Sequence, residues 1–171
     1  MTIHTEHPFL QPEGERDVVR RLRGRLGGVV TLWTSGSAEG RAGLTVSSMI
    51  VADGEPGHAV ALLDPDSGLH DALTETGAAV VQLLRWEHHA LADVFAGAAP
   101  APGGMFAQAE WEDTDWGPRL TSATSWAGVR LDSTSEVGWS ALVTCTIEHV
   151  VVGEEPDPLV HRRGRYLRPD R

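Results

Sequence analysis

The chain has 171 residues, 41% of them hydrophobic and 22% charged, a composition typical of a folded protein with a single core. All 14 basic side chains are arginine, which excludes the Schiff-base and P-loop chemistry that needs a lysine. The formal charge of −10 argues against nucleic acid as the main partner, because phosphate contacts require positive charge.

Compartment and metal content are also constrained. No apolar run approaches the length of a membrane span, and the polar N-terminus lacks the apolar core of a secretory signal. The single cysteine, Cys145, excludes an internal disulfide and a cysteine-based zinc cluster, and it fits a buried inert thiol better than a nucleophile. We therefore expect a cytoplasmic protein without a membrane segment or a metal site.

The arginines are concentrated at the two ends of the chain. Residues 1–25 hold five arginines and four acids, and residues 162–171 hold five arginines and one acid, whereas residues 26–161 carry four arginines against 19 acids. A protein that binds an anionic cofactor would draw its positive charge from these end segments. The alternative is that they are solvent-exposed arginines of a helix and a tail.

The hydrophobic pattern predicts the elements in chain order. Residues 1–14 are expected to be irregular, and a single domain then spans residues 15–171. Apolar residues at helical spacing predict a helix over 15–26, which the following glycines end. Runs rich in β-branched residues predict strands over 29–34 and 44–51, joined as a hairpin.

The remaining elements follow the same rules. Asp66 or Ser67 caps a short helix that ends at Gly77, and a second short helix covers residues 87–96. Further strands are predicted over 58–63, 78–84, 126–131 and 141–152, with a short strand or tail over 161–168. Hairpins dominate and helices do not alternate with strands, so we expect a mainly β fold: an antiparallel barrel with a few short peripheral helices.

Few residues suggest chemistry by themselves. His88 and His89 point about 100° apart on a helix, and we expect surface histidines rather than metal ligands. Trp33 is the tryptophan best placed to stack on a planar ligand. The segment Thr45-Val46-Ser47-Ser48 places three hydroxyls in an apolar strand. Either Thr45 and Ser47 face solvent while Val46 and Ser48 point inward, or the hydroxyls and backbone N–H groups receive a polar heterocycle and its phosphate.

Four segments then favour the second alternative, because they resemble, in order, motifs of one family. Residues 43–49 (Gly-Leu-Thr-Val-Ser-Ser-Met) resemble G-[ML]-T-V-S-S-[FM], and residues 91–97 resemble L-A-x-x-F-[AS]-G. Residues 71–81 resemble the family's helix and buried strand, and residues 158–166 its terminal P-L-[VI]-[YH]-[HR]-x-G-x-Y. The family is that of the short-chain flavin reductases, FMN-binding split barrels that supply reduced flavin to two-component monooxygenases.

The resemblance implies a split β-barrel that forms a homodimer, with the flavin in a groove near the dimer interface. It implies an NAD(P)H-dependent FMN reductase, with FAD as the other candidate flavin, NADH or NADPH as the hydride donor and a monooxygenase as the partner that receives reduced flavin. His161 is then the catalytic residue beside the nicotinamide. The residues it assigns to the flavin, largely through main chain, are Trp33, Thr34, Thr45, Val46, Ser47, Ser48 and Ser67.

One turn departs from the family pattern. Where the family has a Ser/Thr/Arg-rich turn that holds the flavin phosphate, this chain has Asp64-Pro65-Asp66-Ser67. A carboxylate repels a phosphate by about 1 kcal/mol at 4 Å in water, and by more when both groups are desolvated. Two further hypotheses therefore stay open: a non-catalytic flavin-binding protein on the same barrel, and a relative that uses a deazaflavin or has lost its cofactor.

Overall fold

The computed structural model describes residues 18–169, so the predicted irregular segment 1–14 lies outside the described residues. Three α-helices are present in this part of the chain: α1 (Val18–Leu26), α2 (Gly68–Thr76) and α3 (His89–Phe95). The strands of the main sheet are β2 (Thr31–Ser35), β3 (Ala42–Val46), β4 (Met49–Ala52), β5 (His58–Leu63), β6 (Ala78–Leu83), β9 (Trp126–Val137) and β10 (Ser140–Val151). The shorter strands are β1 (Gly28–Val29), β7 (Trp111–Thr114), β8 (Gly117–Leu120), β11 (Val160–Arg162) and β12 (Arg165–Leu167).

The main sheet has seven antiparallel strands in the order β3-β2-β6-β9-β10-β5-β4. It curls into a half-barrel around one apolar cluster, which includes Trp33, Val46, Val129 and Cys145. A second cluster, with Leu32, Phe95 and Leu120 among its members, fills the space on the outer side of β2. The mainly β split-barrel fold with short helices is confirmed.

The β6 strand is buried on both faces, because Ala79 and Val81 belong to the cluster inside the half-barrel and Gln82, on the other face, accepts a hydrogen bond from the Leu120 N–H of β8. Five of its six residues are buried, and Val80 and Ala79 are fully inaccessible. This arrangement explains why the strand's sequence lacks the alternation of apolar and polar residues that one-sided strands show. The predicted strand over 78–84 is therefore confirmed in both position and burial.

Two strand predictions are wrong in detail. The strand over 44–51 is interrupted at Ser47 and Ser48, which separate β3 from β4 and let the chain cross from one edge of the sheet to the other. The β9 strand runs on to Val137, six residues beyond the predicted end at residue 131. The β7–β8 hairpin was not predicted, because residues 111–120 show neither an apolar run nor an alternation of apolar and polar residues.

The α2 helix begins and ends as its sequence indicates. Ser67 is the N-cap, and its hydroxyl accepts a hydrogen bond from the His70 N–H at 3.2 Å. Gly77 adopts φ 72° after the last turn, and its N–H donates to the Leu73 carbonyl. Asp66, the other candidate cap, lies before the helix and is exposed.

The α1 helix is attached to the C-terminal hairpin β11–β12. The Arg163 N–H donates to the Gly24 carbonyl at 2.8 Å, and Arg162 Nε donates to the Arg25 carbonyl at 3.2 Å. None of the α1 residues is buried, and Val18, Leu22 and Leu26 are all more than half exposed. The two arginine-rich ends of the sequence therefore meet on one side of the molecule.

Candidate functional site

A cleft of about 170 Å³ opens between β3, α3 and the β11–β12 hairpin. It brings together residues from four separate parts of the sequence. Its lining residues are Val30, Thr45, Ser47, Ala96, His161 and Tyr166. An apolar floor with a few polar groups at its rim is the usual composition of a site for a planar ligand.

Thr45, Ser47 and His161, three of the residues singled out from the sequence, line this cleft. Thr45 is fixed by α3, because its hydroxyl donates to the Ala92 carbonyl at 2.7 Å. Ser47 is exposed at the break between β3 and β4, so its side chain is free to meet a ligand. The lining thus joins the T-V-S-S segment and the terminal motif, which are more than 100 residues apart in the chain.

Gly28 joins the two halves of the cleft, a role that sequence reasoning missed. Its register partner in β11 is His161. A Cβ atom on Gly28 would lie 2.8 Å from the Ser47 carbonyl oxygen, closer than real contacts allow. The sequence signal was present in the Gly27-Gly28 pair, of which only Gly27, with φ 66°, is needed to end α1.

Trp33, Thr34 and Val46 do not present their side chains to the cleft. Trp33 and Val46 belong to the apolar cluster inside the half-barrel, and Trp33 is fully inaccessible. Thr34 is also fully buried, and its hydroxyl bonds with the Pro118 carbonyl and the Gln82 amide. The expectation that Trp33 stacks on a planar ligand is therefore wrong, and the assignment of Trp33 and Thr34 to the flavin fails for their main chain as well, because both residues are inaccessible as a whole.

Ser48 and Ser67 also lie outside the cleft lining. The Ser48 hydroxyl donates to the Leu62 carbonyl at 2.7 Å and so extends the pairing of β4 with β5. This corrects the alternative in which Ser48 points inward, since its side chain is exposed. Ser67 caps α2 beyond the opposite end of β3, where Gly68 lies against Ala42.

The turn before α2 already uses its own polar groups. The Asp66 N–H donates to the Asp64 carboxylate at 2.9 Å, and the Ser67 hydroxyl donates to the Asp64 carbonyl at 2.7 Å. Because the Ser67 oxygen also accepts from His70, the hydroxyl has both a donor and an acceptor role filled. A phosphate at this turn would meet Asp64 where the family offers hydroxyl and basic groups.

The His161 ring is held neutral at the rim of the cleft. Burial lowers its pKa below the usual value of 6.5, and the positive charge of Arg23 lowers the pKa further. The ring of Tyr166 meets it edge-on, with the centroids 5.6 Å apart. Burial, followed by the Asp93 carboxylate with which the Tyr166 hydroxyl hydrogen-bonds, raises the pKa of Tyr166 to about 12, so both rings are uncharged near pH 7.

Other reactive side chains lie elsewhere. Cys145 is buried, and burial followed by the charge of Asp132 raises its pKa to about 12, which confirms an inert thiol. His88 is buried rather than on the surface, since its ring bonds with the Arg85 N–H and the Ser122 hydroxyl. Within residues 18–169 no three His, Cys, Asp or Glu side chains are grouped as a metal site.

A second aromatic cluster lies on the outer face of the sheet. His149 stacks on Trp116 at 5.3 Å between centroids and contacts Trp126 at 4.8 Å. In this cluster Trp116 Nε1 donates to Glu148, which also pairs with Arg130 at 2.8 Å. None of the described helices is long and apolar enough to cross a membrane.

Comparison with known proteins identifies the family. The family model described as "Flavin reductase like domain" matches residues 23–169. The FMN reductase (NADH) RutF of Ancylobacter novellus is 30% identical over 156 residues, which cover 91% of this chain and 86% of that protein. The 4-hydroxyphenylacetate 3-monooxygenase reductase component of Pseudomonas aeruginosa is 26% identical, covering 88% of this chain and 90% of its own length.

Solved structures show the same fold at lower identity. Flavin reductase PheA2 superposes with a TM-score of 0.81 at 16% identity, over 94% of this chain and all of its own. The NADH:FAD oxidoreductase SgcE6 of Streptomyces globisporus C-1027, solved with NAD and FAD fragments, gives a TM-score of 0.79 at 20% identity, over 94% of this chain and 96% of its own. The chain belongs to the flavin reductase-like family.

Proposed function

We propose that this protein is an NAD(P)H-dependent flavin reductase whose flavin ring lies in the cleft lined by Thr45, Ser47 and His161. The observation that carries the proposal is that this fold brings the T-V-S-S segment and the terminal motif to one cleft. FMN is the proposed flavin and NADH the proposed donor, because relatives that cover most of the chain are named FMN reductase (NADH). FAD and NADPH are the alternatives to be measured beside them.

The residues of the cleft suit a reaction in which the cofactors carry the chemistry. The flavin supplies an acceptor for the hydride of the nicotinamide, and no acid, nucleophile or metal is required from the protein. Thr45 and Ser47 offer hydroxyl and main-chain groups to the polar edge of the ring, while Val30 and Ala96 supply apolar contact. Trp33, Thr34 and Val46 are buried and lie outside the cleft lining, so they take no direct part in holding the ring.

His161 is the proposed catalytic residue, in contact with the nicotinamide. Its neutral ring adds no positive charge beside a donor that becomes cationic when it gives up its hydride. Burial of the rings also keeps water out of the space where they meet. The protein then has to orient the nicotinamide and the flavin, since the hydride-donating and hydride-accepting atoms must approach within about 3–3.5 Å of each other.

The test measures NADH oxidation with and without added FMN, for the wild type and two serine variants. Oxidation should depend on FMN and follow saturation kinetics. Ser47→Val should raise the Kd for FMN by about five- to 100-fold, because a polar edge of the ligand loses its partner. Ser48→Val is the matched control, since that hydroxyl bonds with Leu62, and it should leave the Kd unchanged.

A homodimer is proposed as the working form of the enzyme. The cleft of about 170 Å³ is smaller than the roughly 300–1,000 Å³ of typical ligand sites, so one chain covers a flavin only in part. Apolar side chains that a partner could cover are exposed on α1 (Leu22, Leu26) and on the edge strand β4 (Ile50, Val51). Light scattering at micromolar concentration should give twice the chain mass, and a fully active monomer would contradict a shared groove.

A partner monooxygenase is proposed as the consumer of the reduced flavin. One relative is named as the reductase component of a monooxygenase, and the similarity covers 88% of this chain and 90% of that protein. A cleft that covers the ring only partly suits release of reduced flavin rather than its retention. Anaerobic gel filtration after reduction by NADH should therefore separate reduced FMN from the protein, whereas co-elution would favour a flavin-retaining protein.

A further inference from the structure

Five arginines form a cluster beside the cleft: Arg23, Arg25, Arg162, Arg163 and Arg165, called here the arginine cluster. All five are exposed, and they come from α1 and from the β11–β12 hairpin. The chain as a whole carries a formal charge of −10, so this local concentration of positive charge is opposite in sign to the net charge of the protein. Such a patch is the usual electrostatic signature of an anionic ligand.

Hydrogen bonds to main-chain carbonyls of α1 hold the two parts of the arginine cluster together. The Arg163 N–H donates to the Gly24 carbonyl, and Arg162 Nε donates to the Arg25 carbonyl. A Cβ atom on Gly27 would lie 3.3 Å from the Arg162 side chain, so the end of α1 packs directly on the hairpin. The side chains are therefore attached to a fixed surface rather than to a loose tail.

No carboxylate neutralises the arginine cluster within residues 18–169. Other arginines of the chain do have such partners, as Arg41 has Asp113 at 2.7 Å and Arg130 has Glu148 at 2.8 Å. Guanidinium groups brought together without counter-charge repel one another, and this lowers the stability of the fold. A bound anion would remove that repulsion.

Arg163 occupies a backbone position that suits other residues better. Its φ is +54° and that of Gly164 is +76°, so the two form the tight turn of the hairpin. Left-handed backbone is favoured by glycine and asparagine and is unfavourable for most other residues. The turn itself therefore gives no reason for an arginine, which projects a guanidinium from the tip.

The arginine cluster borders the cleft on its His161 side. Arg162 follows His161 directly in β11, and Arg23 is close enough for its charge to act on the His161 ring. The other candidate position for a phosphate, the start of α2, is filled by Asp64 and its hydrogen bonds. The positive charge near the cleft is thus at the end of β3 opposite to α2.

We propose that the arginine cluster binds the phosphate groups of a nucleotide whose ring lies in the cleft. This inference rests on the proposed function for the identity of the nucleotide. The shared chemistry is a phosphate or diphosphate, which belongs either to the flavin or to the nicotinamide dinucleotide. Guanidinium groups match phosphate oxygens in both charge and geometry.

The test uses Arg163→Asn and the double variant R163N/R165Q, with Arg130→Gln on the outer face as the matched control. In the flavin arm, fluorescence titration gives the Kd of FMN and of phosphate-free riboflavin. In the nicotinamide arm, steady-state kinetics give the KM of NADH and of phosphate-free reduced nicotinamide riboside. Circular dichroism gives the melting temperature of each protein.

We expect the double variant to weaken the phosphate-bearing ligand of one arm by about three- to tenfold or more and its phosphate-free analogue by less than twofold. The arm that responds identifies the nucleotide. Arg163→Asn should leave the melting temperature unchanged or raise it, because asparagine suits the turn, while it weakens the same ligand. Arg130→Gln should change neither ligand of either pair.

Equal effects on the phosphate-bearing and phosphate-free ligands in both arms would overturn the proposal. So would an effect of Arg130→Gln as large as that of the cluster variants, because it would reflect net charge rather than a site. The proposed function is judged separately, by whether the wild type reduces riboflavin with reduced nicotinamide riboside. That reaction involves no phosphate and does not need the arginine cluster.

Discussion

Gly28 lies so close to Ser47 that a Cβ atom on it would be 2.8 Å from the Ser47 carbonyl oxygen. Gly28 is also the register partner of His161, so it fixes both sides of the cleft. We expect Gly28→Ala to displace the Ser47 main chain and to raise the Kd for FMN at least several-fold. Gly40→Ala is the control, since no atom lies within 4 Å of a Cβ there, and its FMN titration should match the wild type.

The pH dependence of flavin reduction should report on His161. Burial and the charge of Arg23 lower its pKa, so the neutral ring that the reaction uses persists below pH 6.5. In Arg23→Gln the pKa rises, and the acid limb of kcat/KM for the nicotinamide should move to higher pH. Arg21→Gln, on the same exposed helix, should leave the limb in place; a shift of equal size would assign the effect to general charge.

His88 should make the protein less stable in mild acid. Burial lowers its pKa most, with Arg85 acting in the same direction and Glu87 and Glu155 opposing. Because the folded pKa lies below the unfolded value of 6.5, the unfolded chain takes up a proton first as the pH falls. Stability is therefore fully present above pH 6.5 and declines below it, by at most about 1.4 kcal/mol per pH unit for one group.

Urea unfolding between pH 5 and pH 8 tests this dependence. In His88→Gln the decline of unfolding free energy below pH 6.5 should be smaller than in the wild type, even though the variant is less stable at pH 8. His89→Gln provides the comparison, since His89 is exposed and stacks on Trp86. Equal pH dependence in wild type and His88→Gln would show that His88 does not carry the effect.

Tyr166 should contribute to stability rather than to proton transfer. Its pKa of about 12 keeps the hydroxyl protonated, and it bonds with Asp93 and so ties the C-terminal hairpin to α3. Tyr166→Phe should lower the unfolding free energy by about 1–2 kcal/mol through loss of that hydrogen bond. The pH profile of kcat should have the same shape in the wild type and in Tyr166→Phe. A basic limb that is present in the wild type and absent from the variant would argue for a proton-transfer role.

The sequence predicted the half-barrel well where local pattern and packing agree. The β6 strand and the ends of α2 followed from an apolar run, a serine cap and a glycine at positive φ. The break at Ser47 and Ser48 could not be predicted. It occurs where the chain crosses from one edge of the sheet to the other, and residues 44–51 include no glycine or proline that would indicate an interruption. The β7–β8 hairpin was missed because its sequence lacks a strand pattern, although β8 packs against β2 and β6.

The candidate site was predictable only in part, for the same physical reason. Motif positions name residues but not the direction of their side chains. Thr45 and Ser47 line the cleft, whereas Val46, which lies between them, and Trp33 on β2 fill the half-barrel. Because side chains alternate along a strand, Val46 is expected to point to the opposite side from Thr45 and Ser47. The inward direction of the Trp33 side chain depends on the curvature of the whole sheet, which the local sequence does not specify.

A crystal structure of the protein with FMN would locate the flavin directly. We expect electron density for the flavin ring in the cleft, in contact with Thr45 and Ser47 and on the side that His161 borders. The outer cluster of Trp116, Trp126 and His149 is the other place where a planar ring could stack. Flavin density at that cluster, with the cleft empty at saturating FMN, would show that the cleft is not the flavin site.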